Sequence, residues 1–185
     1  VFIDNTANNY VASTYTKYLK NNIGVVTCNK IACSDNYENY IKLKNLSKKY
    51  NTPFLFETNV GAGLPIIDTL NHLIASGDKI QKIQAILSGS LNFIFNNYNT
   101  TRSFRDVVYD AMKKGYTEPD PKIDLSGVDV SRKILILARE CGHKVELEDV
   151  VNYKFLSDDC LNSINNDDLF KNLLKNEKHF KDLYN

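Results

Sequence analysis

Short apolar runs alternate with amphipathic segments over the first third of the chain. The runs are VFID (1–4), VVT (25–27) and PFLF (53–56), and between them apolar residues recur at helical spacing over about 8–20 and 35–50. Strands that are apolar without interruption are typical of a buried parallel sheet. The order strand–helix–strand–helix–strand therefore predicts three parallel strands joined by right-handed crossovers.

Polar residues follow each predicted strand: DNT (4–6), CNK (28–30) and ETN (57–59). The carboxyl ends of parallel strands lie along one edge of the sheet, and ligands of open α/β sheets bind outside that edge. Polar residues also end many strands that bind nothing. The three strand ends are therefore candidate ligand contacts, with an ordinary solvated edge as the alternative.

The pattern changes after Glu57. Ahead of Glu57, the helix that ends near Tyr50 is expected to be capped by Ser34 or Asp35. Pro65 opens a further helix that Gly77 ends. The remaining predictions are an alternating, half-buried strand over 79–87, helices over about 88–98, 104–115 and 128–140, and an amphipathic last helix.

The predicted fold class is α/β: the second half of a doubly wound parallel nucleotide-binding sheet, joined to an α+β lobe. The expected boundary divides residues 1–57 from 58–185. Ser126 is expected to cap the helix over 128–140, which is apolar on most sides and is predicted to be largely buried. The last helix, with Leu169, Phe170 and Phe180 among its apolar residues, needs a packing partner, which is expected in sequence beyond Asn185.

Composition narrows the function classes. Of 185 residues, 43% are hydrophobic and 24% charged, which is ordinary for a globular protein, and a net charge of +1 gives no electrostatic footprint for nucleic acid. No apolar run approaches the ~20 residues of a membrane helix. The four cysteines form no C-x-x-C pair, so reduced thiols in a cytoplasmic protein are expected. Because Val1 opens directly into a strand, a fragment of a longer protein is expected.

The segment GYTEPDPKIDLSGVDVSRK (115–133) sets several acids ahead of one lysine. Asp129 and Lys133 are four residues apart, on one face of a predicted helix. A helix ion pair worth ~0.3–0.5 kcal/mol is the ordinary interpretation. A lysine held charged by an aspartate is also a good proton donor to a developing alkoxide. Glu118 could grip a substrate ammonium or be a solvated loop acid.

Other candidates are weaker. Gly61 and Gly63 suggest a dinucleotide loop, but the third glycine of G-x-G-x-x-G would fall at Ile66. These glycines could instead let backbone carbonyls converge on an ion, or simply turn the chain. The three histidines are isolated, and of the cysteines only Cys28, beside a strand end, is a candidate nucleophile.

The acidic segment resembles the signature of the homoserine dehydrogenase family. ETNVGAGLPIIDTL (57–70), ILSGSLNFIF (86–95) and VVTCNK (25–30) are similar to that family in the same order. Cys28 stands where proline or alanine is commoner in the family. The resemblance runs from Asp4 to about Leu147. The sequence is most similar to the dehydrogenase half of bifunctional aspartokinase–homoserine dehydrogenases.

The resemblance implies an enzyme that interconverts aspartate 4-semialdehyde and homoserine with NAD or NADP. It implies that Lys133 donates the proton to the aldehyde oxygen, that Glu118, Asp124 and Asp129 form the substrate network, and that Lys30 contacts substrate near the nicotinamide. The implied cofactor contacts are Asn5, Thr6, Asn29 and Gly115. The implied sodium ligands are Glu57 and the carbonyls of Val60, Ala62 and Leu64.

Departures from the family leave alternatives open. The family's G-x-G-x-x-G is expected upstream of Val1, and its last segment is also expected outside the chain. The second lobe would then be a substrate and dimerisation lobe. Because the partial sheet of the first lobe leaves an exposed edge, pairing with another chain is also expected, as a homodimer or higher homo-oligomer. One alternative is a semialdehyde or aldehyde dehydrogenase with a cysteine nucleophile. The other is a non-catalytic oligomerisation fragment.

Overall fold

A computed structural model describes residues 1–99 and 101–184. The sheet has strands β1 (Phe2–Asp4), β2 (Val25–Thr27) and β3 (Phe54–Leu55). Their order is β1-β2-β3 and both pairings are parallel, with Ile3 opposite Val26 and Val26 opposite Leu55. The predicted α/β fold with a parallel sheet is confirmed.

The two faces of this sheet differ in burial. Val25 and Phe54 are buried on one face, where Tyr15 packs edge-on against Phe54. On the other face the paired row of Ile3, Val26 and Leu55 is 64%, 39% and 54% exposed. Successive side chains of a strand point to opposite faces of the sheet. A strand that is apolar at every position therefore presents apolar side chains on both faces.

The helices next to the sheet are shorter than the hydrophobic pattern predicted. Residues 8–20 form two helices, α1 (Asn9–Ser13) and α2 (Tyr15–Lys20), instead of one. A short helix α3 (Ile31–Ser34), which was not predicted, precedes α4 (Tyr37–Lys49).

The predicted caps of α4 are wrong. Asn36, not Ser34 or Asp35, caps this helix, and its side chain accepts from the amide of Asn39. Ser34 is the last residue of α3 and Asp35 is its C-cap. The capping residue therefore lies one or two positions later than the pattern placed it.

The predicted strand over 79–87 is wrong. Helix α5 (Ile66–Ala75) has Pro65 at its N-cap and ends before Gly77, as expected. Residues 79–87 that follow it form no regular element and are mostly exposed. A strand requires a neighbour to pair its amides and carbonyls, and in the described part of the chain the sheet β1-β2-β3 does not include residues 79–87.

The remaining regular elements of the described chain are helices. A short 3₁₀ turn, Leu147–Asp149, follows the longest of these helices, and another, Glu57–Asn59, follows β3. The helices are α6 (Gly89–Asn97), α7 (Phe104–Lys113), α8 (Pro121–Leu125), α9 (Val128–Glu140), α10 (Asp158–Leu161), α11 (Asn166–Lys175) and α12 (Glu177–Tyr184). None of the described helices is long and apolar enough to cross a membrane.

The chain divides into two compact units. The first comprises residues 1–85 and 131–151, and the second 86–130 and 152–185. The predicted boundary between residues 57 and 58 stays a prediction about domains.

In the second unit, α11 packs on α7, and Leu173 and Phe180 are buried in its core. The apolar face of the last helices thus has a partner inside the described chain, at α7.

Candidate functional site

A buried carboxylate organises the carboxyl edge of the sheet. Asp4 ends β1 and is 1% exposed. Its carboxylate accepts from the Tyr15 hydroxyl, from the Thr6 amide at 2.8 Å and from Asn29 Nδ2 at 3.1 Å. Tyr15 also lies 2.8 Å from Thr27 Oγ1. The turn after β1 is therefore tied to the residues that follow β2.

Burial and hydrogen bonding act in opposite directions on Asp4. Burial raises the pKa of its carboxyl, but the bonds from Tyr15, Thr6 and Asn29 outweigh it and hold the pKa below its ordinary value. Burial, with Asp4 beside it, raises the pKa of the Tyr15 hydroxyl. Asp4 is thus ionised and Tyr15 is a donor. Sequence reasoning noted Asp4 only as a polar strand end.

The predicted cofactor contacts differ in exposure and in hydrogen bonding. Asn29 is 2% exposed, and its side chain is committed to Asp4, to the carbonyl of Asn8 and to the amide of Ile31. Asn5 and Thr6 are exposed at the same edge. A ligand at this edge would therefore meet the side chains of Asn5 and Thr6. Gly115, the remaining candidate, belongs to the second unit.

Gly115 lies after α7 with a left-handed φ of 71°. Its amide donates to the carbonyl of Met112 at 3.0 Å. A positive φ favours glycine, which explains the residue by the helix end alone.

Lys30 occupies the N-cap position of α3 and is half-buried. Its carbonyl accepts from the amides of Cys33 at 3.1 Å and Ser34 at 2.9 Å, and from Ser34 Oγ at 2.9 Å. The backbone on which Lys30 stands is therefore a closed helical turn at the carboxyl end of β2.

The thiols do not favour a cysteine nucleophile. All four cysteines are free. Burial raises the pKa of Cys33, Cys141 and Cys160, which keeps these thiols protonated. Cys28 Sγ lies 3.8 Å from Asn5 Oδ1. The three thiols with a raised pKa are therefore unsuited to be the thiolate nucleophile of a dehydrogenase.

Glu57, the predicted sodium ligand, has a structural partner. Its two carboxylate oxygens accept from the amides of Ile67 and Asp68, each at 2.8 Å, at the first turn of α5. A carboxylate there satisfies unpaired amides and complements the helix dipole. Sequence reasoning missed this cap because the residues are ten apart in the chain.

The other predicted sodium ligands follow in a tight turn. Val60 is fully buried and Leu64 is 61% exposed. Between them Gly61 and Ala62 both have left-handed φ, 84° and 53°. A Cβ on Gly61 would lie 2.5 Å from Ile66 Cγ1, so glycine is required at this position.

Asp124 is the centre of the acidic segment in the second unit. Its Oδ1 accepts from Ser90 Oγ at 2.8 Å and its Oδ2 from the amide of Glu118 at 2.8 Å. Glu118 itself is exposed. The segment is not a simple loop, because Asp120 caps α8 within it. The carboxylate of Asp124 thus holds in place the backbone that carries Glu118.

Asp129 and Lys133 lie four residues apart on α9, as predicted, and both are half-buried. The predicted capping role of Ser126 is wrong in its main part. Ser126 is the C-cap of α8, and its hydroxyl donates to the carbonyl of Ile123. The same hydroxyl oxygen accepts from the amide of Val128, at the start of α9, over a long distance of 3.4 Å. Gly127, with φ 73°, makes the turn between the helices.

Burial along α9 is uneven. Leu135, Ile136 and Leu137 are buried, whereas residues 128–134 are half-buried or exposed. The prediction of a largely buried helix holds for its second half only. Sequence reasoning also missed Arg139 and Glu140, which are 3% and 7% exposed. A charged pair at the end of the apolar run ILIL was the available signal.

The three parallel strands, with their hydrogen-bonded polar edge, define an α/β protein of the class whose ligands bind at the carboxyl ends of the strands. Comparison with known families is more specific. Residues 1–57 match the homoserine dehydrogenase NAD-binding domain, and residues 65–183 match the homoserine dehydrogenase family. The chain belongs to the homoserine dehydrogenase family.

Individual relatives agree with this assignment. The maize chloroplastic bifunctional aspartokinase/homoserine dehydrogenase 2 is 51% identical over 150 residues, which cover 81% of the chain but only 16% of that relative. A Candida auris protein of unknown function superposes with a TM-score of 0.91 at 34% identity, over 98% of the chain and 52% of its own. A hyperthermophilic archaeal homoserine dehydrogenase mutant in complex with NADPH has a TM-score of 0.70 at 31% identity, over 76% and 43%.

Proposed function

We propose that the protein of which these residues are part interconverts aspartate 4-semialdehyde and L-homoserine with NAD or NADP. The observation that carries the proposal is the acidic segment. Asp124 bonds to the amide of Glu118 and to Ser90, and Asp129 and Lys133 follow on one helix. A set of carboxylates followed by an ammonium group suits an amino-acid substrate whose carbonyl oxygen must be protonated.

In this proposal Glu118 and Asp129 bind the homoserine ammonium, and Asp124 holds Glu118 in place. Lys133 donates its proton to the aldehyde oxygen as the alkoxide develops, and takes it back in the oxidative direction. Lys30 contacts the substrate at the carboxyl end of β2.

The residues at the sheet edge fit a nicotinamide nucleotide. Asn5 and Thr6 are exposed polar side chains on a turn that Asp4 fixes, at the edge where α/β sheets bind nucleotides. Asn29 supports that turn, and Gly115 is the fourth proposed contact. The bound cofactor supplies or accepts the hydride.

A sodium ion is the second proposed ligand, with Glu57 and the carbonyls of Val60, Ala62 and Leu64 as its oxygen donors. Hard oxygen donors suit such a cation. Each Glu57 oxygen already accepts one amide bond, but a carboxylate has about four lone-pair sites, so capping and binding are compatible. The proposal requires a melting temperature that rises more with NaCl than with KCl at equal ionic strength, and Glu57→Ala should remove the difference.

We also propose that the protein is a cytoplasmic homodimer or higher homo-oligomer that binds neither nucleic acid nor membrane. Its near-neutral net charge of +1 supports the absence of a nucleic-acid partner. Light scattering on the purified full-length protein would test the oligomeric state.

The decisive experiment is a steady-state assay of the full-length protein. Homoserine-dependent reduction of NAD or NADP is expected, followed by nicotinamide absorbance. Semialdehyde and phosphate in place of homoserine provide the matched control, because a thiolate-dependent dehydrogenase would consume them. A folded protein without homoserine-dependent reduction would contradict the proposal.

A further inference from the structure

The side chain of Arg139 is fully buried within the first unit, where it is held by four hydrogen bonds. Its Nη1 donates to the carbonyls of Cys33 at 2.9 Å and Asp35 at 2.6 Å. Its Nε donates to the carbonyl of Val145 at 3.0 Å, and its Nη2 pairs with Glu146 at 2.9 Å. The planar guanidinium thus joins α9 to two other segments of the chain, residues 33–35 and 145–146.

Two of these acceptors lie at the C-terminal end of α3, the single turn that begins at Lys30. The opposite end of the turn is closed by the bonds from Cys33 and Ser34 to the Lys30 carbonyl. Carbonyls at a helix end have no partner within the helix, so an outside donor decides where the end sits. Arg139 is that donor for Cys33 and Asp35.

Arg139 stands on the same helix as Lys133, six residues later. At 1.5 Å per residue the two are about 9 Å apart along α9. The neighbouring Glu140 fastens the helix a second time, because it accepts from the Tyr40 hydroxyl and from Lys44 Nζ at 2.9 Å. The helix end that follows Lys133 is therefore anchored to α3 and α4.

We infer that Arg139 is a positioning residue: its bonds to Cys33 and Asp35 set the turn that carries Lys30 against the helix that carries Lys133. The inference rests on the proposed function, in which both lysines act on the substrate. Lysine cannot replace arginine here, because a single ammonium does not reproduce a fork that bonds three carbonyls and a carboxylate together. A misplacement of about 1 Å in a catalytic group can cost ~10²-fold in rate.

The test compares Arg139→Lys with Lys44→Met in the full-length protein. Arg139→Lys keeps the charge but loses the fork. Lys44→Met removes an ion pair from the same buried cluster and leaves the Arg139 bonds intact. Arg139→Lys should lower kcat about 10-fold or more, change the KM for homoserine less, and speed hydrogen exchange of the α3 amides. Lys44→Met should lower the melting temperature with little change in kcat or in α3 exchange.

A double-variant experiment with Lys133 distinguishes a positioning role of Arg139 from a merely structural one. In a Lys133→Ala background, the Arg139→Lys effect on kcat should shrink toward one-fold, because the group it positions is gone. Equal fold-losses in both backgrounds, or equal losses for Arg139→Lys and Lys44→Met, would overturn the inference while leaving the proposed function standing. A wild-type protein without homoserine-dependent NAD(P) reduction overturns the proposed function, and this inference with it.

Discussion

Three carboxylates of the candidate site are held by amides and hydroxyls. Asp4, Glu57 and Asp124 each accept at least one backbone N–H bond. Such bonds fix a carboxylate without requiring that a long cationic side chain be ordered. The same chemistry serves two ends: it stabilises turns and helix starts, and it orients the residues beside them.

At the residue scale, Lys133→Ala in the full-length protein should lower kcat by about 10²–10⁴, the usual contribution of a general acid. The fold should survive, because the substitution leaves the backbone of α9 unchanged. Asp129→Ala should change both kcat and KM, and the double variant should be much less impaired than the product of the single effects. Arg132→Ala, which removes the neighbouring charge, is the control. Wild-type kcat in Lys133→Ala would exclude the lysine as the acid.

Asp4 makes a second residue-scale prediction, on pH. Asp4→Asn should cost about 1–3 kcal/mol of unfolding free energy at pH 7, because buried donors lose their acceptor. The folded-state pKa of Asp4 lies below its unfolded value, so its contribution is fully present above about pH 4 and is lost as pH falls through the folded-state pKa. Urea unfolding from pH 7 down to acid should therefore show the two proteins converging.

Exposed Asp182→Asn is the control for this measurement, with a change within ~0.5 kcal/mol. A gap between wild type and Asp4→Asn that stayed constant on acidification would argue against an ionised Asp4 as its source.

At the element scale, the last two helices are stabilised by one face. The core of the second unit places Leu173 and Phe180 against α7, and Phe180 stacks on Phe104 with ring centroids 4.3 Å apart. Glu177 adds a polar contact, because its carboxylate accepts from the amide of Phe104 at 2.9 Å. Helices this short derive their stability from such packing instead of from propensity.

The adjacent leucines of α11 give a matched test of that packing. Leu173 is fully buried and Leu174 is 57% exposed. Leu173→Ala should destabilise the chain by about 2–5 kcal/mol, because it leaves a cavity beside α7. Leu174→Ala should change stability by no more than ~0.5 kcal/mol. Thermal unfolding of both variants, side by side, would reveal a wrong packing face if the two losses were equal or reversed.

At the scale of the whole molecule, the nucleotide edge is present without a G-x-G-x-x-G segment among these 185 residues. That segment supplies the backbone amides and the helix N-terminus that bind the pyrophosphate. In the proposed function, the edge built on Asp4 offers polar side chains to the cofactor instead. Binding strength should therefore depend on residues outside the chain.

The 185-residue chain should bind NADPH far more weakly than a full-length homoserine dehydrogenase of the family. Titration calorimetry on both proteins, at the same salt concentration, measures the difference. Comparable affinities would mean that the nucleotide site has been misplaced.

The sequence by itself determined the elements whose signal is local. The three apolar runs became parallel strands, Gly77 and Gly115 ended the helices before them, and Asp129 and Lys133 shared one helix. Hydrophobic period, glycine conformation and helical spacing each act over a few residues, so they can be read along the chain. The same reasoning failed over 79–87, because an alternating pattern forms a strand only where a partner strand is available.

Tertiary structure alone decided which polar groups are committed and to what. Glu57 became a helix cap through amides ten residues away, Asp4 was joined to Asn29, and Arg139 was bound to carbonyls more than a hundred residues earlier. A carboxylate or guanidinium on the printed chain looks the same whether it faces water, a substrate or a buried backbone group. Only the fold removes water from it and supplies its partners, and those long-range contacts leave no period in the sequence.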